Sequence, residues 1–167
     1  MNSIIIFTDG AVPNNQKGGN RKGGVGVFFG DNDVRNISYS IKETLTFKVT
    51  NNICELLACI NGIETCVPSN NIIIMTDSMY IVNSMTVWGK KWEKNDWKKS
   101  KHTKIENEDL IKKLYYLTNN FNIKYKHVKA HTKAPSIDSD KYSEWYGNYM
   151  ADKLAATAAT CTPNVNP

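Results

Sequence analysis

Asp9, Glu55, Asp77 and Asp152 stand where carboxylates can do chemistry. Asp9 follows the apolar run from Ile4 to Thr8 and precedes Gly10, while Asp77 follows the run from Ile72 to Thr76. Glu55 opens a stretch with helical periodicity, and Asp152 lies in an alanine-rich one. Each acid alone has an ordinary explanation. Asp9-Gly10 can be a turn, Glu55 can complete a cap begun by Asn52, Asp77 can cap a helix, and Asp152 can be an exposed acid beside Lys153. Together they carry more weight, because two strand ends, a helix start and a late helix can converge at one edge of a sheet. Carboxylates gathered in that way repel and raise one another's pKa unless cations neutralise them. Hard divalent cations prefer oxygen ligands, and Mg²⁺ uses few carboxylates, keeps waters and completes its shell with substrate phosphates. Two such ions about 4 Å apart would clamp the attacking and leaving oxygens of a phosphoryl transfer.

The elements that must position these acids follow from periodicity. Ile4 to Thr8 reads as a buried strand, and Gly24 to Gly30 and roughly Arg35 to Ile41 as two more. Ile53, Leu56, Leu57, Ile60 and Ile63 then mark one face of a helix, with Asn51 or Asn52 as its cap. Asn71 to Thr76 is a fourth strand, Ser78 to about Ser84 a helix, and Trp88 to Trp97 an aromatic, lysine-rich element expected to be helical. Asp109 to Leu117 is a further helix, Phe121 to Val128 the fifth strand, and about Ser143 to Ala159 the final helix. This order predicts an α/β (mixed α+β) fold: a five-stranded mixed sheet whose first three strands form an antiparallel meander and whose fourth and fifth are parallel, flanked by helices. In such sheets reactive groups collect at the carboxyl ends of the parallel strands.

A chain of 167 residues, 41% apolar and 22% charged, is long enough for one domain with a real core. Residues 1–160 are expected to form it, and 161–167 a frayed tail. No apolar run approaches the roughly 20 residues needed to cross a bilayer. The start lacks a secretory or transit signal, and the four cysteines contain no C-x-x-C pair. They read as reduced thiols, which points to the cytoplasm or nucleus. Between Trp88 and Lys104 seven lysines face two acids, a balance of +5 that equals the formal charge of the whole chain. The basic character is therefore a local patch. Trp88 and Trp92, four apart, interrupt the lysines and would share a helical face, able to stack on sugars or bases while Lys98, Lys99 and Lys101 track phosphates. Inward packing is the competing explanation, and it fits Trp92 and Trp97 in part.

With these motifs in order, Phe7-Thr-Asp-Gly10, Thr50-Asn-Asn-Ile-Cys-Glu-Leu56, Thr76-Asp-Ser-Met-Tyr80, His127-Val-Lys-Ala-His131 and Gly147-Asn-Tyr-Met-Ala-Asp-Lys-Leu154, the sequence resembles the type-1 ribonucleases H from Ile4 to about Ala156. The resemblance implies a ribonuclease H-like fold and hydrolysis of the RNA strand of RNA·DNA hybrids, without sequence specificity, to 5′-phosphate and 3′-hydroxyl ends. It implies that Asp9 bridges two Mg²⁺ ions, with Mn²⁺ able to substitute, that Glu55 and Asp77 help hold one, and that Asp152 helps hold the other. His131 takes the place of the family's mobile-loop histidine, which assists proton movement or product departure, and Asn148 matches an asparagine of the catalytic centre. Trp88 with Tyr80 would line a channel for the DNA strand, and Lys48, Thr50 and Asn107 would hold a DNA phosphate. Asn51 and Asn52 would reach the minor groove, and Asn15 (or Asn14) and Met79 would lie beside the RNA strand, where contacts to the 2′-hydroxyl distinguish RNA from DNA.

The sequence departs from the family pattern in two places. The interval from His131 to Asp152 is longer than in the familiar bacterial and animal members, and the loop from Pro13 to Gly23, with Lys17, Arg21 and Lys22, is also extended. The partner implied is an RNA·DNA hybrid, with no membrane and no obligate protein partner, the chain acting as a monomer. Two other functions stay open at this point: a silent hybrid-binding module, against which the intact acids argue, and a metal nuclease of the same fold acting on DNA, against which the Trp-Lys protrusion and Asn51-Asn52 argue.

Overall fold

The structure, a computed structural model, describes residues 3–13, 21–67, 71–100 and 103–160. The elements run β1 (Ile4–Ala11), β2 (Lys22–Phe28), β3 (Ile37–Lys42), α1 (Asn51–Glu64), β4 (Asn71–Thr76), α2 (Met79–Asn83), a π-helical turn (Ser84–Trp88), α3 (Gly89–Lys94), β5 (Lys98–Ser100), β6 (Thr103–Lys104), α4 (Glu108–Asn120), β7 (Asn122–His127) and α5 (Tyr142–Thr160). The main sheet has five strands in the order β3-β2-β1-β4-β7. β1, β2 and β3 pair antiparallel, and β4 pairs parallel with β1 on one side and β7 on the other. The mixed sheet expected from the element order is therefore the one observed.

Alternation along β1 supplies both cores, since successive strand side chains point to opposite faces. Ile6 joins Val25, Val27, Leu56, Ile60, Ile72, Ile74, Ile111 and Leu114 in the larger core, which α1 and α4 cover. Each fully buried Ile or Leu contributes about 1.5–3 kcal/mol relative to leaving it in water. Phe7 points the other way, to Phe28, Met75, Val128 and Ala151, where α5 crosses β2. The approach there is close enough to require glycine. A Cβ on Gly24 would lie 1.8 Å from the Ala155 carbonyl oxygen, and one on Gly26 would lie 2.2 Å from that of Ala151. The Gly-Gly-Val-Gly run of β2 and the alanines of α5 are thus two halves of one interface.

Three local expectations are corrected. The α1 cap is Thr50, whose hydroxyl accepts from the Ile53 backbone N–H, and neither Asn51 nor Asn52; Glu55 consequently lies a turn inside the helix, beyond the reach of a capping box. Asp9 is no turn residue, because β1 continues to Ala11 and Asp9 pairs with Gly26. The Trp88 to Trp97 element is not one helix: α3 ends at Lys94, Asp96 and Trp97 have positive φ (51° and 58°), and the chain then enters the β5-β6 hairpin.

Candidate active site

Asp9 sits where two kinds of pairing part. The parallel ladder with β4 ends at Thr8 opposite Thr76, while the antiparallel ladder with β2 carries β1 onward through Asp9 and Gly10. Asp77, the residue after β4, therefore comes level with Asp9 across the gap left by the ended ladder. From the larger core side, α1 presses on β1 so closely that a Cβ on Gly10 would lie 2.4 Å from the Glu55 backbone nitrogen. That approach brings the Glu55 carboxylate to the same point. One oxygen from each of Asp9, Glu55 and Asp77 lies within 4.8 Å of the others.

These acids are largely withdrawn from water: Asp9 is 6% exposed and Glu55 7%. Burial, then the charges of Asp77 and Asp152, push Asp9 up to about 8. Burial, then the charges of Asp9 and Asp77, hold Glu55 well above the usual carboxylate range. A side-chain hydrogen bond between Asp9 and Asp152 brings the fourth acid, from α5, to the cluster's edge. The Glu55 Oε2 atom is buried with no hydrogen-bond partner among the described residues. An all-oxygen donor set, an orphaned buried carboxylate oxygen and mutual repulsion all fit a hard divalent cation. Asp9, Glu55 and Asp77 are positioned to bind one.

The surroundings are built from neighbouring elements. Asn148 on α5, 6% exposed, donates from Nδ2 to the Asp77 carboxylate at 3.4 Å. His127 at the end of β7 places Nε2 3.1 Å from the Asp77 backbone oxygen, a contact the sequence motif did not foretell. His131, exposed and with a positive φ of 48°, borders a cleft of about 60 Å³ shared with Asn148 and Asp152. The predicted histidine and the two α5 residues are thus brought together.

The predicted nucleic-acid residues divide among three further depressions. Tyr80 and Trp88 meet edge to face at 6.5 Å, and Trp88 and Trp92 lie 5.6 Å apart. With Lys99, Thr103 and Lys104 they line a groove of about 470 Å³. The π turn ends at Trp88, and its wider winding re-aims that ring relative to a continuous α-helix. Trp97 instead packs inward at 8% exposure against Tyr115 and Tyr116. Lys98 and Lys99 are exposed on the hairpin. Lys48 and Asn107 line a second depression of about 720 Å³, and Asn107 also lies beside the Tyr80 hydroxyl. Thr50 is not part of it; with Asn51, Asn52 and Arg21 it lines a third, of about 350 Å³. Met79 is exposed at the start of α2. Asn14, Asn15, Lys17, Lys101 and the 161–167 tail lie outside the described residues.

Carboxylates placed for a divalent cation at the carboxyl end of a mixed sheet, flanked by a basic, tryptophan-lined groove, define a class of metal-dependent nucleic-acid hydrolases. The RNase H family model matches residues 1–160. The chain belongs to the RNase H family and is a ribonuclease H hydrolase. It is 37% identical over 156 residues to the ribonuclease H of Schizosaccharomyces pombe, covering 93% of this chain but 53% of that protein, so it spans about half that relative's length. To the ribonuclease H of Wolbachia pipientis wMel it is 36% identical over 155 residues, covering 93% of this chain and 94% of the other. Among solved structures, LC9-RNase H1, a type 1 RNase H with the type 2 active-site motif, superposes with a TM-score of 0.68 at 24% identity, covering 95% of this chain and 74% of that one. The foamy viral protease-reverse transcriptase in complex with an RNA/DNA hybrid superposes with a TM-score of 0.70 at 18% identity, covering 93% of this chain and 20% of that one. Both likenesses speak for the fold. No helix among the described residues is long and apolar enough to cross a membrane, and Cys54, Cys59 and Cys66 are free thiols.

Proposed function

We propose that the protein hydrolyses the RNA strand of RNA·DNA hybrids by a two-metal-ion mechanism, leaving 5′-phosphate and 3′-hydroxyl ends without base preference. The observation that carries the reading is the convergence of Asp9, Glu55 and Asp77 within 4.8 Å, with Asp152 beside Asp9. Asp9 would be the shared ligand, with Glu55 and Asp77 holding one cation and Asp152 the other. Bound there, two Mg²⁺ ions, or Mn²⁺ in their place, would supply Lewis-acid charge to the attacked phosphate and its departing oxygen.

The chain's own groups do the rest. Asn148 keeps the Asp77 carboxylate turned toward the cluster through its Nδ2 hydrogen bond. His131, across the small cleft from Asp152, moves a proton at the leaving oxygen or assists departure of the product. An external water attacks, so the ribose 2′-hydroxyl serves for recognition. Asn15 and Met79 would contact the RNA strand, Asn51 and Asn52 the minor groove, and Lys48 and Asn107 a DNA phosphate, while Thr50, which shares the depression of Asn51 and Asn52, would meet the backbone there. Tyr80 and Trp88 form a stacking wall for the DNA strand, with Lys98 and Lys99 beside it. Backbone and shape contacts of this kind carry no base code. The protein works as a monomer in a reducing compartment, cytoplasm or nucleus.

The test is cleavage of a labelled RNA·DNA hybrid with and without Mg²⁺, beside single-stranded RNA, duplex RNA and duplex DNA, with product ends mapped. Metal-dependent cutting of the hybrid's RNA strand alone, to 5′-phosphates, is expected. Binding without cutting would make this a silent module, and cutting of duplex DNA would make the substrate wrong.

The protrusion can be tested separately. Replacing Lys98 and Lys99 by Ala should weaken hybrid binding and reduce the slope of log K against log salt by about 2, roughly one per phosphate contact. An unchanged slope in a binding titration would return these lysines to the solvated surface.

A further inference from the structure

The loop that carries His131 is long and sparsely held. Its first end is pinned by the Val128 N–H donating to the Thr76 carbonyl at 3.0 Å, and its last end by turns in which Ser139 donates to Ser136 at 2.9 Å and Tyr142 to Ser139 at 2.8 Å. Between them, Lys129 to Ala134 are all exposed, and His131 is in the left-handed region at φ 48°. A non-glycine residue stays in that region only when its surroundings over-determine it. Among the described residues, one hydrogen bond ties the stretch from Lys129 to Pro135 to the rest of the fold: the Trp145 indole Nε1–H, on the first turn of α5, donates to the Thr132 carbonyl at 3.0 Å.

Trp145 is itself packed among aromatic rings. Its ring stacks on Tyr149 with centroids 5.3 Å apart and planes at 11°, and Tyr142 leans on it at 5.8 Å. The tether therefore runs from a stacked aromatic ladder to the residue next to His131. It emerges from the same helix that carries Asn148 and Asp152, and Trp145, Tyr149, His131 and Asp152 all border the one small cleft. An indole N–H given to an exposed loop adds little to the core, but it sets the distance between the loop and the helix bearing two site residues.

We propose that Trp145 is a positioning residue: its N–H bond to Thr132 holds the His131 loop against α5, so that the imidazole stays at the cleft it shares with Asp152. This rests on the role given to His131 above. Holding a group at its working place raises its effective concentration, and releasing it lowers the rate without touching the contacts that bind substrate. Trp145→Phe keeps the ring and the stack and removes only the donor. One net hydrogen bond corresponds to about a fivefold change in the ratio of held to released loop, and so to a fall of up to about fivefold in the held population.

The experiment is a double-mutant cycle on hybrid cleavage with wild type, Trp145→Phe, His131→Ala and the double variant, alongside melting temperatures and hydrogen exchange of residues 129–135. Expected are a fall in kcat of up to about fivefold for Trp145→Phe with KM and Tm unchanged, faster exchange in the loop, a fall of tenfold or more for His131→Ala, and a double variant no slower than His131→Ala alone. An unchanged kcat in Trp145→Phe, or a further fivefold loss when His131 is already absent, would overturn the proposal. If His131→Ala leaves kcat intact, the role of His131 is what fails; loop exchange accelerated in Trp145→Phe with no kinetic effect would leave that role standing and remove the positioning one.

Discussion

Asp9→Asn is expected to abolish cleavage and at the same time to raise the melting temperature of the metal-free protein at neutral pH. The first effect follows from position. Asp9 is the acid that neighbours all the others, with Glu55 and Asp77 within 4.8 Å and Asp152 in hydrogen-bond contact. A neutral amide there removes the anionic ligand proposed to be shared, and several kcal/mol of charge stabilisation corresponds to roughly 10³-fold or more in rate. The second effect follows from what the cluster does without its cations. Burial and two neighbouring carboxylates raise Asp9 from 3.8 to about 8. A carboxyl raised in this way leaves the fold fully stable below its unfolded pKa and takes stability away as pH climbs through the folded value. Wild type in chelator should therefore lose stability between about pH 4 and pH 8, and the variant should lose less of it. The gain should be on the order of 2 kcal/mol at pH 8, about 4–8 °C in a domain of this size, and should vanish near pH 4. Thermal melts across that range, with and without Mg²⁺, read it directly, since the cation should stabilise wild type far more than the variant. Mg²⁺-dependent turnover retained by Asp9→Asn would sink the two-metal assignment.

The same cluster explains why so much of the site could be read before the fold was known. Asp9 and Asp77 each follow an apolar run, which marks a buried strand, so both acids were to be expected near a strand's carboxyl end. What the run could not tell was that β1 goes on past Asp9. That depends on β2, whose Gly24 and Gly26 pair with Ala11 and Asp9, and strand partners are not encoded locally. The α1 cap was missed for a related reason. Thr50, Asn51 and Asn52 are all cap-forming residues, and the one used is fixed by where the chain leaves Val49, fully buried in the core. The protrusion was hardest. Lys98 to Lys104 lacks apolar alternation, so the β5-β6 hairpin left no pattern, and the π turn at Ser84–Trp88 is accompanied by the approach of Gly89 to Tyr115, where a Cβ would come within 2.5 Å of the ring. Trp145 gave no signal at all, because its partner Thr132 is a backbone oxygen, and any residue could have supplied that.

Gly10→Ala should damage the site by packing alone, and it separates packing from chemistry. The added carbon would meet the Glu55 backbone nitrogen at 2.4 Å and Cys54 at 2.6 Å. No rotamer change relieves a clash with backbone, so either α1 moves off the sheet or β1 bends. Cys54 and Leu56, fully buried beside this contact, would be dragged out of their packing in the first case. Overpacking of this kind costs about 1–3 kcal/mol, and here the obstacle is a helix and not a side-chain tip, which places the loss at the upper end. A shift of about 1 Å also moves the Glu55 carboxylate relative to Asp9, and a misplacement of that size lowers a rate by roughly 10²-fold. Urea unfolding should show a lowered midpoint with an unchanged slope, and kcat should fall by more than KM for the hybrid rises, because the groove of Tyr80, Trp88 and Lys99 is built by other elements while Asn51 and Asn52 ride on α1. Full activity together with wild-type stability would mean that α1 and β1 can part without disturbing the acids, and that the close approach at Gly10 is not what brings Glu55 to Asp9.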